Sequence, residues 1–432
     1  MDEEISLVVE SSSPSNTLNH KRDVHILCWA FILIFLAYNA VQNLESTINT
    51  EGDLGTISLG ILYVSFAVFS VVASVVVRQL GTKNALIFGS TGFWLFIAAN
   101  LMPTWYSMVP ASLFLGFATS IIWVAQGTYL TSTAHSHAND NDLHEGAVIG
   151  TFNGQFWGMY ACNQLVGNVI TLALLRDGKG GETTGTTLLF VMFLCSSTIG
   201  SILMCFLSKR NDKKEELQDS SATFSSSVAS LSKTILALLL DIRILLVIPL
   251  QAYSGLQQAF VWAEYTKYLI KPALGERGVG GAMAVYGVFD TICSVAAGRF
   301  TSGLLSITII VSLGAFIQAI VLCLLLLNYS ISSGLLSTLY LLLIGGMWGI
   351  GNGVLNTQLC AFLGILFKHD LEGAFAQLNL WQSISIAVVY FLSPYISFET
   401  MIVIMLTALC ISILGFLFLT LQIEKVFSRH AF

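Results

Sequence analysis

Residues Leu304 to Leu327 read LLSITIIVSLGAFIQAIVLCLLLL, and not one of them is charged. Wound as an α-helix, this stretch is about 36 Å long, which is enough to cross a bilayer hydrocarbon core of about 30 Å. It shows none of the alternation between polar and apolar residues that a transmembrane β-strand requires, and a helix satisfies all of its own backbone hydrogen bonds in lipid. The stretch therefore predicts a membrane-spanning helix.

The rest of the chain repeats this pattern. Of 432 residues, 55% are hydrophobic and 10% are charged, against roughly 25% charged residues in an average soluble domain. We expect an all-α membrane protein with twelve transmembrane helices. The approximate spans are 24–44, 58–77, 84–101, 108–130, 147–174 and 187–207, followed by 244–265, 281–297, 304–327, 335–362, 374–392 and 400–421.

Polar segments divide the chain into two halves of six spans each. We expect residues 1–23 to be a disordered cytoplasmic N-terminus, 208–243 a cytoplasmic linker with room for an interfacial helix, and 422–432 a cytoplasmic tail. With the N-terminus in the cytosol, fourteen of the nineteen Lys and Arg residues fall on the cytoplasmic side. This bias predicts that both termini are cytoplasmic. It does not choose between the plasma membrane and an endomembrane.

Several functional classes lose support from the sequence. The formal net charge is −6 and there is no basic stripe, so a nucleic-acid partner is excluded on electrostatic grounds. All eight cysteines fall within apolar runs, which is typical of small core residues rather than disulfides. The segment from His135 to His144 has residue types that bind metals but no regular ligand spacing. We expect no metal, no cofactor and no enzymatic activity.

An internal repeat supports the two-halves arrangement. Ala37 to Asn43 reads AYNAVQN, and the first span of the second half carries AYSGLQQ from Ala252 to Gln258. Repeats of this kind place two six-helix halves around a central cleft, on the plan of the major facilitator superfamily. Gln42 and Gln257 occupy matching positions, so we expect both to face that cleft.

Two stripes of glycine occur at a spacing of four residues. The fifth span carries Gly146, Gly150, Gly154 and Gly158, and the tenth carries Gly345, Gly349 and Gly353. Glycines at this spacing let a neighbouring helix backbone approach closely. They are explained either by static packing or by a surface on which the halves slide.

Two acidic residues and several amides fall inside the predicted spans. Asp290 lies near the middle of the eighth span, where an ionised carboxylate is costly, and it is the strongest candidate for an ion, ligand or coupling site. Glu264 is a weaker candidate, because Lys267 follows three residues later and is expected to pair with it. The further candidates are the amides Gln126, Asn356 and Gln358. For all of them the alternative is hydrogen bonding that only joins helices.

Motifs in both halves resemble the Unc-ninety-three family, the ion-channel regulatory branch of the major facilitator fold. The segments that carry the resemblance are 42–47, 62–63, 80–83, 105–106 and 123–131, then 287–290, 293–294, 298–299, 348–349, 356–358 and 374–376. The resemblance implies the fold and association with a potassium channel or a potassium transporter. It also implies that regulation or escort, rather than transport, is the established role of the family.

One loop departs from better-known facilitator transporters. Their loop between the second and third helices carries an acid among basic residues, whereas residues 78–83 read RQLGTK and contain no acid. This argues against a charge-relay latch. The only glycosylation sequon begins at Asn328, close to a helix end, which argues against its use. Two hypotheses stay open: a regulator or escort of ion channels or transporters in the lipid bilayer, and a secondary transporter of a small solute or cation.

Overall fold

The computed structural model describes residues 19–48, 54–175, 182–209, 241–327, 335–393 and 395–430. Within these residues the chain is entirely helical, with twelve long helices and no strand. Nine helical segments among the described residues are long and apolar enough to cross a membrane. The predicted fold class, an all-α membrane protein, is confirmed.

Six helices precede the segment 210–240 and six follow it. The first six are α1 (His20–Ile48), α2 (Leu54–Leu80), α3 (Thr82–Ala99), α4 (Trp105–Asp140), α5 (Glu145–Leu175) and α6 (Glu182–Cys205). The second six are α7 (Ile242–Ala259, continued by a π-helix, Phe260–Ile270), α8 (Lys271–Phe300), α9 (Leu304–Leu327), α10 (Leu335–Leu366), α11 (Leu371–Leu392) and α12 (Phe398–His430).

Local chemistry sets several of these helix ends. Gly81 has a φ of +76°, a left-handed conformation that glycine adopts without strain, and it separates α2 from α3. Thr104 accepts a hydrogen bond from the backbone N–H of Ser107 and begins α4 with a capping box. Asp370 caps the beginning of α11, where its side chain accepts a hydrogen bond from the Gly373 N–H at 2.9 Å.

The outer part of α7 is irregular. Its last eleven residues, Phe260–Ile270, form a π-helix, a wider winding that is rare in proteins and frequent at functional sites. Five residues later Gly275, with φ +71°, leaves the helical conformation. It separates the two membrane crossings Ile242–Gly275 and Gly278–Phe300. The π-winding changes which side chains share a face, which matters for Glu264 below.

The two halves meet along α5 with α8 and along α2 with α11, with further contacts of α4 with α11 and α5 with α10. Three parts of the expected organisation lie outside the described residues: most of the N-terminus, residues 210–240 of the linker, and Asn328 with its sequon. The expected tail, 422–432, is not a separate segment over its described part, because α12 continues to His430.

Candidate ligand site and ion pairs between the halves

Asp290 lies in the middle of α8 with only 6% of its surface exposed. Its Oδ2 accepts a hydrogen bond from Asn352 Nδ2 of α10 at 2.7 Å. Its Oδ1 accepts from the hydroxyl of Ser294, one turn further along α8, at 3.2 Å. Both partners are neutral, so the carboxyl is hydrogen-bonded but not ion-paired by them.

The side chain of Asn352 extends this site into a polar network inside the second half. Its Oδ1 accepts from Asn356 Nδ2 at 3.1 Å and from Gln257 Nε2 of α7 at 3.4 Å. Gln257 in turn accepts from Gln318 Nε2 of α9 at 2.5 Å, and Gln318 accepts from the Tyr253 hydroxyl at 2.6 Å. Four helices thus contribute to one continuous set of hydrogen bonds ending at Asp290.

A second branch of the network reaches α11. Ser254 donates towards Asn356 Oδ1 at 3.4 Å and accepts from Gln382 Nε2 at 2.8 Å. The neighbouring Gly255 allows this, because a Cβ placed there would lie 2.9 Å from Gln382 Cα. Of the predicted candidates, Asp290, Gln257 and Asn356 are therefore brought together in one place.

The first half presents an aromatic surface instead. Trp123 of α4 and Trp157 of α5 stack with ring centroids 5.7 Å apart and planes inclined by 6°, and Tyr160 meets Trp123 edge-on at 5.3 Å. These three side chains are partly exposed, whereas Phe31 and Phe156 behind them are fully buried. We call Trp123, Trp157 and Tyr160 the aromatic wall.

Two members of the aromatic wall, Trp157 and Tyr160, lie next to the second half. Trp157 lies beside Cys360 of α10, and Tyr160 lies within electrostatic range of Asp290. Tyr286, one turn before Asp290 on α8, is also close enough to interact electrostatically with Tyr160 and Asp290. The interface of the halves thus has amides and a carboxyl on one side and aromatic rings on the other.

The glycine stripe of α5 packs against α8. A Cβ added to Gly154 would lie 2.7 Å from both Gly298 Cα and the Ser294 carbonyl, so no side chain fits there. Gly150 and Gly158 are similarly close to α8, and Gly146 lies against the loop that follows it. The stripe therefore lies at the junction of the halves.

The glycine stripe of α10 packs against the opposite side of α8. A Cβ on Gly353 would lie 2.6 Å from the Asp290 carbonyl, and one on Gly349 would lie 3.1 Å from the Asp290 N. Gly345, further out, accommodates the hydroxyl of Tyr265. Helix α8 is therefore held between two glycine stripes, one from each half.

Glu264 is separate from this site. It is 1% exposed, and its Oε1 has no hydrogen-bond partner among the described residues. The expected pair with Lys267 does not form, because Glu264 and Lys267 belong to the π-helix, in which residues three apart no longer share a face. Lys267 is exposed and places its ammonium group 4.8 Å from the centre of the Tyr268 ring.

The remaining candidates are scattered. Gln42 donates to the Tyr63 hydroxyl at 2.8 Å within the first half, so the matched positions Gln42 and Gln257 have different partners. Gln126 is buried in α4 with its Nε2 unpartnered among the described residues. Gln358 bonds to the Thr301 hydroxyl at 2.9 Å, at the C-terminal end of α8.

Ion pairs join the two halves at one end of the molecule. Arg78, at the end of α2, pairs with Asp370 and has its Nε 3.7 Å from Glu372 Oε2. Lys368 pairs with Glu145, the first residue of α5, which also contacts His135. Residues 78–83 contain no acid, as the sequence analysis states, and the acids beside Arg78 come from the opposite half.

The pKa of Glu145 reflects these contacts. Partial burial works against its ionisation, but the hydrogen bond from Lys368 and the charges around it outweigh burial, so the pKa of this carboxyl lies below its ordinary value. His135 belongs to the last turns of α4 and not to a loop. Among the described residues no group of three or more His, Cys, Asp or Glu side chains could hold a metal ion.

Two parts of the site had weak but readable signals in the sequence. Gln318 is the only amide in helix α9, whose other residues are mostly apolar. An amide is unusual at a lipid-facing position, so this residue indicates a position inside the protein. Trp157 and Tyr160 are three residues apart on α5, and the side of the helix with Gly154 and Gly158 packs on α8. The partner of Gln318 could not be identified from the sequence, because only the tertiary fold shows which amide of another helix it faces.

Comparison with solved structures confirms the architecture. FucP, a major facilitator superfamily transporter in its outward conformation, superposes with a TM-score of 0.66 over 93% of this chain and 99% of that chain, at 14% identity. The human organic anion transporter MFSD10 gives 0.68 over 93% and 99%, at 13% identity. At these identities the likeness concerns the fold alone, and that fold is the major facilitator type.

Sequence comparison is more specific. UNC93-like protein 3 of Arabidopsis thaliana is 61% identical over 94% of this chain and 88% of its own length. A putative potassium channel regulatory protein unc-93 of Caenorhabditis elegans is 29% identical over 91% of this chain, which spans 60% of that longer protein. Human protein unc-93 homolog A is 27% identical over 91% and 92%. The model of the ion channel regulatory protein UNC-93 family matches residues 46–418, and the chain belongs to that family.

Proposed function

We propose that this multi-pass membrane protein is a non-enzymatic regulator or escort of an ion channel or ion transporter, and that it acts in potassium homeostasis. The observation that carries the proposal is the extent of the family match, which includes both halves and their junction. The name of the Caenorhabditis elegans relative supports a potassium channel as the regulated partner.

Affinity purification in mild detergent tests the regulatory function. The tagged protein should recover a potassium channel or potassium transporter above the background of an unrelated twelve-helix protein that carries the same tag. Co-expression with the recovered channel should then change its current or its surface amount. A preparation that is reproducibly free of such partners would count against regulation.

A second candidate function is secondary transport of a small solute or cation between the halves. Two observations favour it: a buried carboxyl at the interface, and ion pairs between the halves whose charged groups are partly exposed. Charged pairs in water are weak and therefore separable. Purified protein in liposomes should show uptake driven by a proton or cation gradient; absence of flux for potassium, sodium and a broad metabolite panel would remove this candidate.

We also propose that both termini face the cytosol, which makes the ends joined by Arg78 and Lys368 the cytoplasmic ones. The bias of Lys and Arg residues supports this orientation. Tags at the two termini should be reached by antibody only from the cytosol, that is, after the plasma membrane alone is made permeable. Termini on opposite sides would require an odd number of crossings.

A further inference from the structure

Asp290 is a buried acid whose partners among the described residues are neutral. Asn352 and Ser294 donate hydrogen bonds to it, and within the described part of the chain no Lys, Arg or His side chain forms an ion pair with it. Acidic residues inside membrane proteins almost always face a cavity or the bundle interior and pair with another group there. The protein's described side chains supply the hydrogen bonds to Asp290 but not a positive charge.

The surface opposite Asp290 suits a particular kind of positive charge. Ring faces attract cations through their quadrupole, and Trp is the strongest of the aromatic residues in this respect. The aromatic wall offers two stacked Trp rings and a Tyr ring, all partly exposed at the junction of the halves. The close packing of α5 on α8 at Gly154 and Gly158 brings this wall near Asp290.

One polar group at the same junction lacks a partner. The Tyr286 hydroxyl, on a residue 2% exposed, is buried and has no hydrogen-bond partner among the described residues. Buried polar groups in native proteins nearly always have such a partner. Tyr286 lies one turn from Asp290, so a ligand held by the carboxyl would be within reach of this hydroxyl.

We propose that a small organic ammonium cation binds between Asp290 and the aromatic wall. The carboxylate supplies the opposite charge, the rings of Trp123, Trp157 and Tyr160 supply cation–π contacts, and Tyr286 supplies a hydrogen bond. A bare alkali-metal ion fits less well, because it must replace its hydration shell with several oxygen ligands, and the aromatic wall offers it mainly ring faces. Binding of this kind goes beyond the regulatory function and holds whether or not the cation crosses the membrane.

Thermal unfolding of the purified protein in lipid nanodiscs tests the proposal, with tetramethylammonium chloride and choline chloride as probes and potassium chloride at equal concentration as the reference. The ammonium probes should raise the unfolding temperature more than potassium chloride does. Asp290→Asn, which keeps the size of the side chain, should raise the dissociation constant at least about tenfold. Trp157→Leu should raise it roughly 2- to 30-fold, and Trp157→Phe should restore most of the affinity.

Matched controls separate this site from general effects. Glu264→Gln removes the other buried carboxyl of the second half, and Trp94→Leu removes a lipid-facing Trp; both should bind the probes as the wild type does. If Asp290→Asn does not fold, the Trp157→Leu and Trp157→Phe pair decides alone. The proposal is overturned if the ammonium probes act no differently from potassium chloride. It is also overturned if Asp290→Asn binds the probes like the wild type. Where Asp290→Asn does not fold, wild-type binding by Trp157→Leu overturns it. None of these results depends on recovery of a channel partner.

Discussion

Arg78 of the first half and Asp370 of the second half form an ion pair, and Asp370 simultaneously caps α11. One carboxylate thus fixes the beginning of a helix and joins that helix to the opposite half. The second pair, Glu145 with Lys368, likewise joins the N-terminal end of α5 to the α10–α11 connection. Both pairs lie at the same end of the molecule, and their charged groups are partly exposed.

Reversal of the Arg78 charge should open the cytoplasmic end. Arg78→Glu places a third negative charge beside Asp370 and Glu372, so the halves repel where they now attract. Cys360, buried beside Trp157, should become reactive towards a thiol reagent added from the cytosolic side, as measured by mass spectrometry of its peptide. Arg78→Lys retains the charge and should keep Cys360 protected; equal protection in Arg78→Glu would show that the pair does not hold the end closed.

Glycine at position 154 should be indispensable for assembly of the halves. In Gly154→Ala the new methyl group meets backbone atoms of α8, which cannot move aside as a flexible side chain can, and we expect a loss of about 1 to 3 kcal/mol of stability. Gly60→Ala is the matched control, since nothing lies within 4 Å of its added Cβ. Thermal unfolding of both variants measures the difference. Equal stabilities would mean that the α5–α8 contact is looser than described.

Two buried glutamines of the second half should respond in opposite ways to substitution. Gln318→Leu leaves Gln257 and the Tyr253 hydroxyl without their partner, and should cost about 0.6 to 2 kcal/mol. Gln251 is equally buried, but neither its Nε2 nor its Oε1 has a partner among the described residues, so Gln251→Leu should be neutral or stabilising. Unfolding temperatures in one detergent provide the comparison. A greater loss in Gln251→Leu would contradict the network.

Acid should weaken the Glu145 pair, and the sign follows from its lowered pKa. Because the folded-state pKa lies below the unfolded value of about 4.3, the stabilising contribution is complete above pH 4.3 and is lost as pH falls through the folded-state pKa. The pair is partly exposed, so water limits its contribution to about 1 kcal/mol or less. Between pH 7 and pH 3.5 the wild type should lose more stability than Glu145→Gln. Parallel pH curves would refute the role of this carboxyl.

The sequence was sufficient for the fold because lipid restricts the alternatives. Apolar runs such as Leu304–Leu327 can satisfy their backbone hydrogen bonds in lipid only as helices. The number of helices and the fold class therefore followed from length and composition. Asp290 could be selected as a candidate for a similar reason, because an acidic residue within an apolar span stands out against its neighbours. The resemblance in segments such as 123–131 then narrowed the fold to one family.

The site beyond Asp290 depends on contacts that no local pattern contains. Gln257 of α7 meets Gln318 of α9 only after the second half has packed, and its repeat partner Gln42 meets Tyr63 instead. The Glu264–Lys267 spacing was misread because the rule of three or four residues holds for an α-helix and not for the π-helix in this segment. The ion pairs between the halves were missed because each acid and its base lie in different halves.

Because those ion pairs are partly exposed to water, their strength depends on the ionic strength of the solution. Electrostatic attraction between exposed charges is screened over about 10 Å at 0.1 M salt and over about 3 Å at 1 M. The hydrogen bonds and ring contacts deeper in the protein are shielded from such screening. The salt concentration of the solution at that end therefore sets how strongly the two halves attract each other there and leaves the interior unchanged. A rise in salt loosens this contact gradually rather than at a threshold.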